Sequence, residues 1–316
     1  MEDPHFVPPT VVFMGTPEFA VPSLRILLDH GYPVTAVVTA PDRPRGRGQR
    51  VSGTPVKELA LRHHLRILQP ETPSDPELTA TMNRIRPDVM VVVAYRILPR
   101  EVFGTARLGA FNLHASLLPK YRGAAPIPWA IMNGEEETGV TTFFLKEKVD
   151  TGNILLQARM PIGPDENAGS VHDRLAELGA EVVLHTVRLI EQGKAHPRPQ
   201  DDAMASPAPK IFKEHCRIYW SNNAQQIHNL IRALSPHPTA YTFHRGAMLR
   251  IYESALSGDS THDPPGTVRV GADSLSVATG DQWINIAELQ LEGRKRLPIN
   301  EFLRGYRIAS GDLLGS

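Results

Sequence analysis

The stretch from Val11-Val12-Phe13-Met14 through a helical segment at residues 19–30 to Val34-Thr35-Ala36-Val37-Val38-Thr39 reads as strand, helix, strand. Short β-branched runs fit a buried sheet, whereas an apolar face recurring every three to four residues calls for a helix. The alternation continues with helical patterns at residues 54–64 and 75–85 and strands at 89–94, 111–114, 140–145 and 154–161. A long helix follows near residues 171–191. Strands separated by helices predict an α/β fold built on a doubly wound, mostly parallel sheet. Helix starts are marked by Thr54 before Pro55 and by Ser74 shortly before Pro76, since proline suits the first helical turn and a hydroxyl suits the cap.

Residues 197–209 are rich in Pro, Ala, Asp and Ser, lack a hydrophobic period and read as a linker. They divide the chain into a domain over residues 1–196 and another over residues 210–316. The second has a helical pattern at 224–234 and short alternating runs at 239–243, 248–252, 266–270, 274–278 and 283–289. So many short strands suggest a small β-barrel of the OB type, although pattern alone does not separate a barrel from a sandwich.

With 316 residues and 41% apolar content, two cores are affordable in size. Lys plus Arg equal Asp plus Glu at 34 each, so no global field attracts a polyanion and any nucleic-acid contact must rest on local patches. Cys216 is the single cysteine, which excludes internal disulfides and thiolate-rich zinc sites. Residues 1–9 carry no signal core, and no apolar run approaches the roughly 20 residues that span a bilayer. The expectation is a cytoplasmic protein with neither a membrane nor DNA as partner.

The strongest chemical signal is Phe111-Asn112-Leu113-His114-Ala115-Ser116-Leu117-Leu118-Pro119. Strand geometry puts Asn112 and His114 on one face, at the carboxyl end of a strand where open α/β sheets bind ligands. Taken alone, the pair reads equally well as a core histidine and a turn former. Val11 to Gly15 is followed by Thr16-Pro17-Glu18 rather than the glycines a dinucleotide needs, and no HExxH pattern occurs. Neither a nicotinamide cofactor nor a metal is expected.

Beyond this strand lie Arg122-Gly123-Ala124-Ala125-Pro126, Thr138-Gly139-Val140-Thr141 and Asp150-Thr151-Gly152. Residues 14–20, 41–44, 92–95 and 97–99 add further matches, as do Leu289-Gln290 and Glu292-Gly293-Arg294-Lys295. As a set these motifs resemble the folate-dependent formyltransferases, over both domains. The resemblance implies that Asn112, His114 and Asp150 form the catalytic group and that Ser116, Leu117, Leu118 and Pro119 contact the folate. It also implies 10-formyltetrahydrofolate as formyl donor and methionine on initiator tRNA as acceptor.

The residue types suit that chemistry. An amide N–H at Asn112 can stabilise the oxyanion formed when an amine attacks a formyl carbon. An imidazole at His114 can protonate a poor nitrogen leaving group, and Asp150 can orient the imidazole and help take the amine's proton.

Arg43, Arg45, Arg47 and Arg50 fall in a Pro- and Gly-rich segment preceded by Asp42. It reads as a mobile cationic loop whose guanidinium forks suit phosphates, and the resemblance implies that it grips the acceptor end of tRNA. Arg294, Lys295, Arg296, Arg304 and Arg307 form a second candidate patch. Arg96 stands where many relatives carry glycine, at the expected folate edge. The same residues would also serve formyl transfer to a small amine such as an amino sugar or a purine precursor, or hydrolysis of the formyl-folate. A tRNA-binding protein without catalysis would need the arginines but not His114 or Asp150.

Overall fold

Every side chain of β1 (Val11–Gly15) is buried, as a strand flanked on both edges and covered on both faces requires. The computed structural model describes residues 8–45 and 50–315. After β1 come α1 (Val21–Asp29), β2 (Val34–Val38), a hairpin of β3 (Arg43–Arg45) and β4 (Arg50–Ser52), α2 (Pro55–Arg62), β5 (Ile67–Leu68), α3 (Pro76–Ile85) and β6 (Val89–Val93). Then follow α4 (Arg100–Phe103), β7 (Gly109–His114), α5 (Pro126–Met132), β8 (Glu137–Phe144), β9 (Ile154–Pro161) and α6 (Ala168–Glu191).

Seven strands form one sheet in the order β5-β2-β1-β6-β7-β8-β9. The pairs β1 with β2, β1 with β6, β2 with β5 and β6 with β7 are parallel, while β8 runs antiparallel to β7 with His114 opposite Thr141. The chain steps outward from β1 to β2 and β5, then returns to β6 on the other side of β1. Strand order therefore reverses between β1 and β6, which opens a crevice at their carboxyl ends. The expected doubly wound sheet is present.

Capping matches the sequence at α2, where the Thr54 hydroxyl accepts from the Lys57 N–H at 3.1 Å and Pro55 opens the helix. It differs at α3. Asp75, not Ser74, is the cap, its carboxylate accepting from the Glu77 N–H at 2.9 Å. With Pro76 as first helical residue, the residue directly before it occupies the capping position.

The chain divides into two compact units. One comprises Met1–Gly123, Gly139–Met160 and His172–Pro207, the other Ala124–Thr138, Pro161–Val171 and Ala208–Ser316. The second contains α7 (Ala224–Leu234), β10 (Ala240–His244), β11 (Ala247–Ser260), β12 (Val268–Val270), β13 (Leu275–Ala278), β14 (Gln282–Leu291), β15 (Arg296–Pro298) and α8 (Ile299–Gly305). Its strands pair antiparallel in the order β10-β11-β14-β13-β12, with β15 on β14, consistent with a small barrel-like domain. Its core joins Trp220, Ile227, Ile231 and Leu234 to Leu249, Ile251, Ile284, Ile286 and Phe302.

Candidate active site

Strand β7 carries His114 at its carboxyl end, buried to 7% side-chain exposure. Nε2 of its ring lies 2.8 Å from the main-chain carbonyl of Tyr121. A carbonyl only accepts, so Nε2 bears a hydrogen and Nδ1 is left for other partners. Nδ1 faces Asp150 Oδ2 at 3.9 Å. That oxygen also accepts from the Gly123 N–H at 2.9 Å, so the carboxylate is aimed from two sides.

Backbone strain collects around this pair. Asp150, Tyr121 and Ala94, the last directly after β6, have φ of 53°, 61° and 47°, in the left-handed region that non-glycine residues rarely occupy. The turn after Asp150 is possible only because residue 152 is glycine: a Cβ there would fall 1.6 Å from the Phe144 carbonyl oxygen. Asp150-Thr151-Gly152 is thus a turn, and one that presents a carboxylate to His114.

Asn112 lies two residues before His114 on β7, half-buried, and so on the same face. Along the expected folate stretch the side chains divide. Ser116 is buried, donating through Oγ to the Lys120 carbonyl at 2.6 Å, and Leu118 packs with Phe143 and Ile154. Leu117 and Pro119 are partly exposed. Thr141 ties the stretch together, donating to the Ser116 carbonyl at 2.7 Å and accepting from the Leu118 N–H at 3.1 Å and from Gln157 at 3.0 Å.

Arg96 donates to the carbonyls of Pro70 at 2.8 Å and Glu71 at 2.5 Å and lies over the Tyr95 ring. Burial, opposed by Arg96, pushes the Tyr95 phenol up.

The cationic segment is more ordered than a loop at its base. Arg43 to Arg45 and Arg50 to Ser52 pair as the β3-β4 hairpin, while Arg47 lies outside the described residues. At the same base, Asp42 is bound by Lys57 Nζ at 2.5 Å and Gln69 Nε2 at 2.8 Å, which hold its carboxyl below the usual range. Lys57 thereby cancels the one acidic neighbour of the arginines. In the second candidate patch, Arg296 is ion-paired with Glu288 and stacked on Tyr252.

Sequence reasoning gave no role to Thr141, Gln157, Gln200 or Ser206, all of which bond the loops around His114 and Asp150. Thr141 closes a motif already singled out. Gln157 is an isolated amide in an otherwise strand-like run, and the other two sit in a segment with linker composition.

Fold and site together define an open α/β protein in which an imidazole at the carboxyl end of a central strand faces a buried carboxylate. The Formyl transferase family model matches residues 10–187, and that for the Formyl transferase C-terminal domain matches residues 210–307. Methionyl-tRNA formyltransferase of Chlorobium phaeovibrioides is 48% identical over 99% of this chain and 100% of its own. That of Caldanaerobacter subterraneus subsp. tengcongensis is 48% identical over 96% of this chain and 99% of its own. The chain belongs to the formyl transferase family and is a formyl-transferring enzyme.

Among solved structures, the N-formyltransferase of Helicobacter canadensis in complex with folinic acid and dTDP-3-aminofucose shares the fold at TM-score 0.69 and 20% identity, over 89% of this chain and 99% of that one. HypX of Aquifex aeolicus in complex with tetrahydrofolic acid aligns at TM-score 0.64 and 19% identity, over 93% of this chain and 46% of that one. No helix among the described residues is long and apolar enough to cross a membrane, and no metal-ligating group of three side chains occurs among them.

Proposed function

We propose that the enzyme transfers the formyl group of 10-formyltetrahydrofolate to the amino group of methionine on initiator tRNA, in the cytoplasm. The observation that carries the chemistry is the ring of His114, committed through Nε2 to the Tyr121 carbonyl and facing Asp150 through Nδ1. Kinship with methionyl-tRNA formyltransferases over 99% of the chain supports the acceptor.

The bound folate supplies a formyl group on a nitrogen that leaves only when protonated. Nδ1 of His114 holds that proton, and the Asp150 carboxylate stabilises the imidazolium and helps remove the proton lost by the amine. Asn112, on the same strand face, donates its amide N–H to the oxygen on which charge develops. Among residues 116–119, the part-exposed Leu117 and Pro119 and the main chain are what remains for folate contact. Arg43, Arg45, Arg47 and Arg50 bind tRNA phosphates. The domain at residues 210–316 adds a second tRNA-binding surface, where Arg217 lies over Tyr219 and Phe243 and Lys213 over Tyr241.

The test is single-turnover transfer from 10-formyltetrahydrofolate to initiator Met-tRNA, with elongator Met-tRNA, free methionine and an amino sugar nucleotide in parallel. Initiator-selective transfer is expected. Transfer to the sugar amine alone would replace the acceptor in this reading.

A further inference from the structure

We infer that the segment from Arg198 to Pro207, linker-like in composition, is a strap that sets the geometry of the catalytic pair, with Gln200 as its principal positioning residue. The inference rests on the reading of His114 and Asp150 as the acid–base pair.

The strap enters the sheet edge at Arg198, which exchanges main-chain hydrogen bonds with Ile154 at 2.7 and 2.8 Å. Two residues on, the Gln200 amide donates through Nε2 to the carbonyls of Asp150 at 2.9 Å and Gly152 at 2.8 Å. One side chain thus spans the turn that carries the carboxylate. Its orientation is fixed from behind. Arg122 donates to Gln200 Oε1 from Nε at 3.1 Å and Nη2 at 2.7 Å. A guanidinium only donates, so the amide oxygen must face Arg122 and the amide N–H groups must face the two carbonyls. Arg122 is itself anchored by Asp202 at 2.7 Å, whose carboxyl the guanidinium holds below its usual range.

Further along, Ser206 accepts from the Tyr121 N–H through Oγ and from the Arg122 N–H through its carbonyl, both at 2.9 Å. Tyr121 is the residue whose carbonyl fixes the His114 ring. One short segment therefore holds Asp150 through Gln200 and His114 through Ser206 and Tyr121. Both turns it braces have positive φ at a non-glycine residue, a conformation that persists only when surrounding bonds over-determine it.

The decisive variant is Gln200→Glu, which keeps the shape and the acceptor for Arg122 but cannot donate to the two carbonyls. Initiator Met-tRNA transfer is measured for the native enzyme, Gln200→Glu, Asp150→Asn and the double variant, with Tm recorded for each. We expect Gln200→Glu to lower kcat by about 10- to 100-fold, the scale of a small misplacement of a catalytic group, with KM for tRNA within about twofold. In the Asp150→Asn background the same change should cost less than about twofold, because the residue acts through Asp150.

A kcat for Gln200→Glu within twofold of native, or an equal loss in both backgrounds, would overturn the strap. Native activity in Asp150→Asn would instead sink the reading of Asp150 itself, and the strap with it. Should Gln200→Glu fail to fold, Gln200→Ala, which leaves both carbonyls to water, decides by the same cycle.

Discussion

In the proposed reaction the proton transfer turns on one atom, Nδ1 of His114, because the Tyr121 carbonyl fixes the hydrogen on Nε2. His114→Ala removes that atom and leaves β7 and its partner strands in place. Transfer should fall by about 10²- to 10⁴-fold, the usual worth of a positioned acid–base group, while equilibrium binding of the folate stays near native. A rate within tenfold of native would show that the proton travels by another route. The Asn112–His114 spacing was legible in the sequence because a strand's period of two is rigid. The partnership with Asp150 was not, since His114 ends β7 and Asp150 lies in a turn some 36 residues on, and only a family resemblance joined them. Nothing in the local sequence announces that Gly152 must lack a Cβ to let the turn pass the Phe144 carbonyl, or that Tyr121 acts through its main chain.

At the scale of elements, the strands that bury both faces were the easiest to read. Val89–Val93 is an uninterrupted apolar run and is buried throughout. Helices with strong caps were equally plain, as at Ala224–Leu234, where Asn223 and Gln226 form a capping box. Short or edge elements escaped: α4, α5, α8 and β15 have too few residues for a period to emerge, and tertiary packing decides them. The run at 248–252 belongs to the longer β11, whose register against β14 shifts repeatedly; such irregularities break the alternation on which strand reading depends.

The arginine-rich segment of residues 43–50 carries a prediction that belongs to its charge as a whole. Replacing Arg43, Arg45 and Arg47 together by alanine should weaken tRNA binding and reduce the magnitude of the log K against log salt slope by about 2 to 3, if each arginine covers one phosphate. Folate binding should be unaffected; an unchanged slope in filter-binding titrations would remove these arginines from the proposed interface.

Helix α7 carries another. His228 is buried, with Ser254 at 3.1 Å from Nδ1 and the Pro164 carbonyl and Asp165 each at 3.2 Å from Nε2. Burial, reinforced by Arg232 and opposed by these polar neighbours, pushes its pKa down. The fold thus favours neutral imidazole, whereas the unfolded chain takes up a proton near pH 6.5. Stability from this site is full above that value and is lost as pH falls from it toward the depressed folded pKa. The Tm should decline between pH 7.5 and 5, and His228→Gln should make that decline shallower. An identical pH profile in the variant would count against this assignment.

For the whole molecule, the composition break at residues 197–209 suggests a linker between domains at 1–196 and 210–316, while the compact units of the structure each gather three separate stretches of chain. Packing and hydrogen bonds, not composition, decide what folds together, and they are invisible until distant segments meet. Within the second unit, buried Arg232 donates through Nη1 to the carbonyls of Gly163 at 3.2 Å and Glu166 at 3.1 Å, and Met132 of α5 packs against the core of residues 208–316. A fragment of residues 210–316 lacks all of these partners.

Such a fragment would leave Arg232 Nη1 without its two carbonyl acceptors, with only the Nε bond to Asn229 retained, and would expose the apolar surface that Met132 covers. It should therefore unfold at far lower urea concentration than the same segment in the full chain. Arg232→Met separates the two causes, because it removes the guanidinium while keeping an apolar side chain of comparable length. In the fragment it should raise the urea midpoint; in the full chain, where it strips two buried carbonyls of their donor, it should lower it. Shifts of the same sign in both would mean that Arg232 is not satisfied by residues 163–166, and that the stretch Ala208–Ser316 is closer to an autonomous domain than its hydrogen bonds indicate.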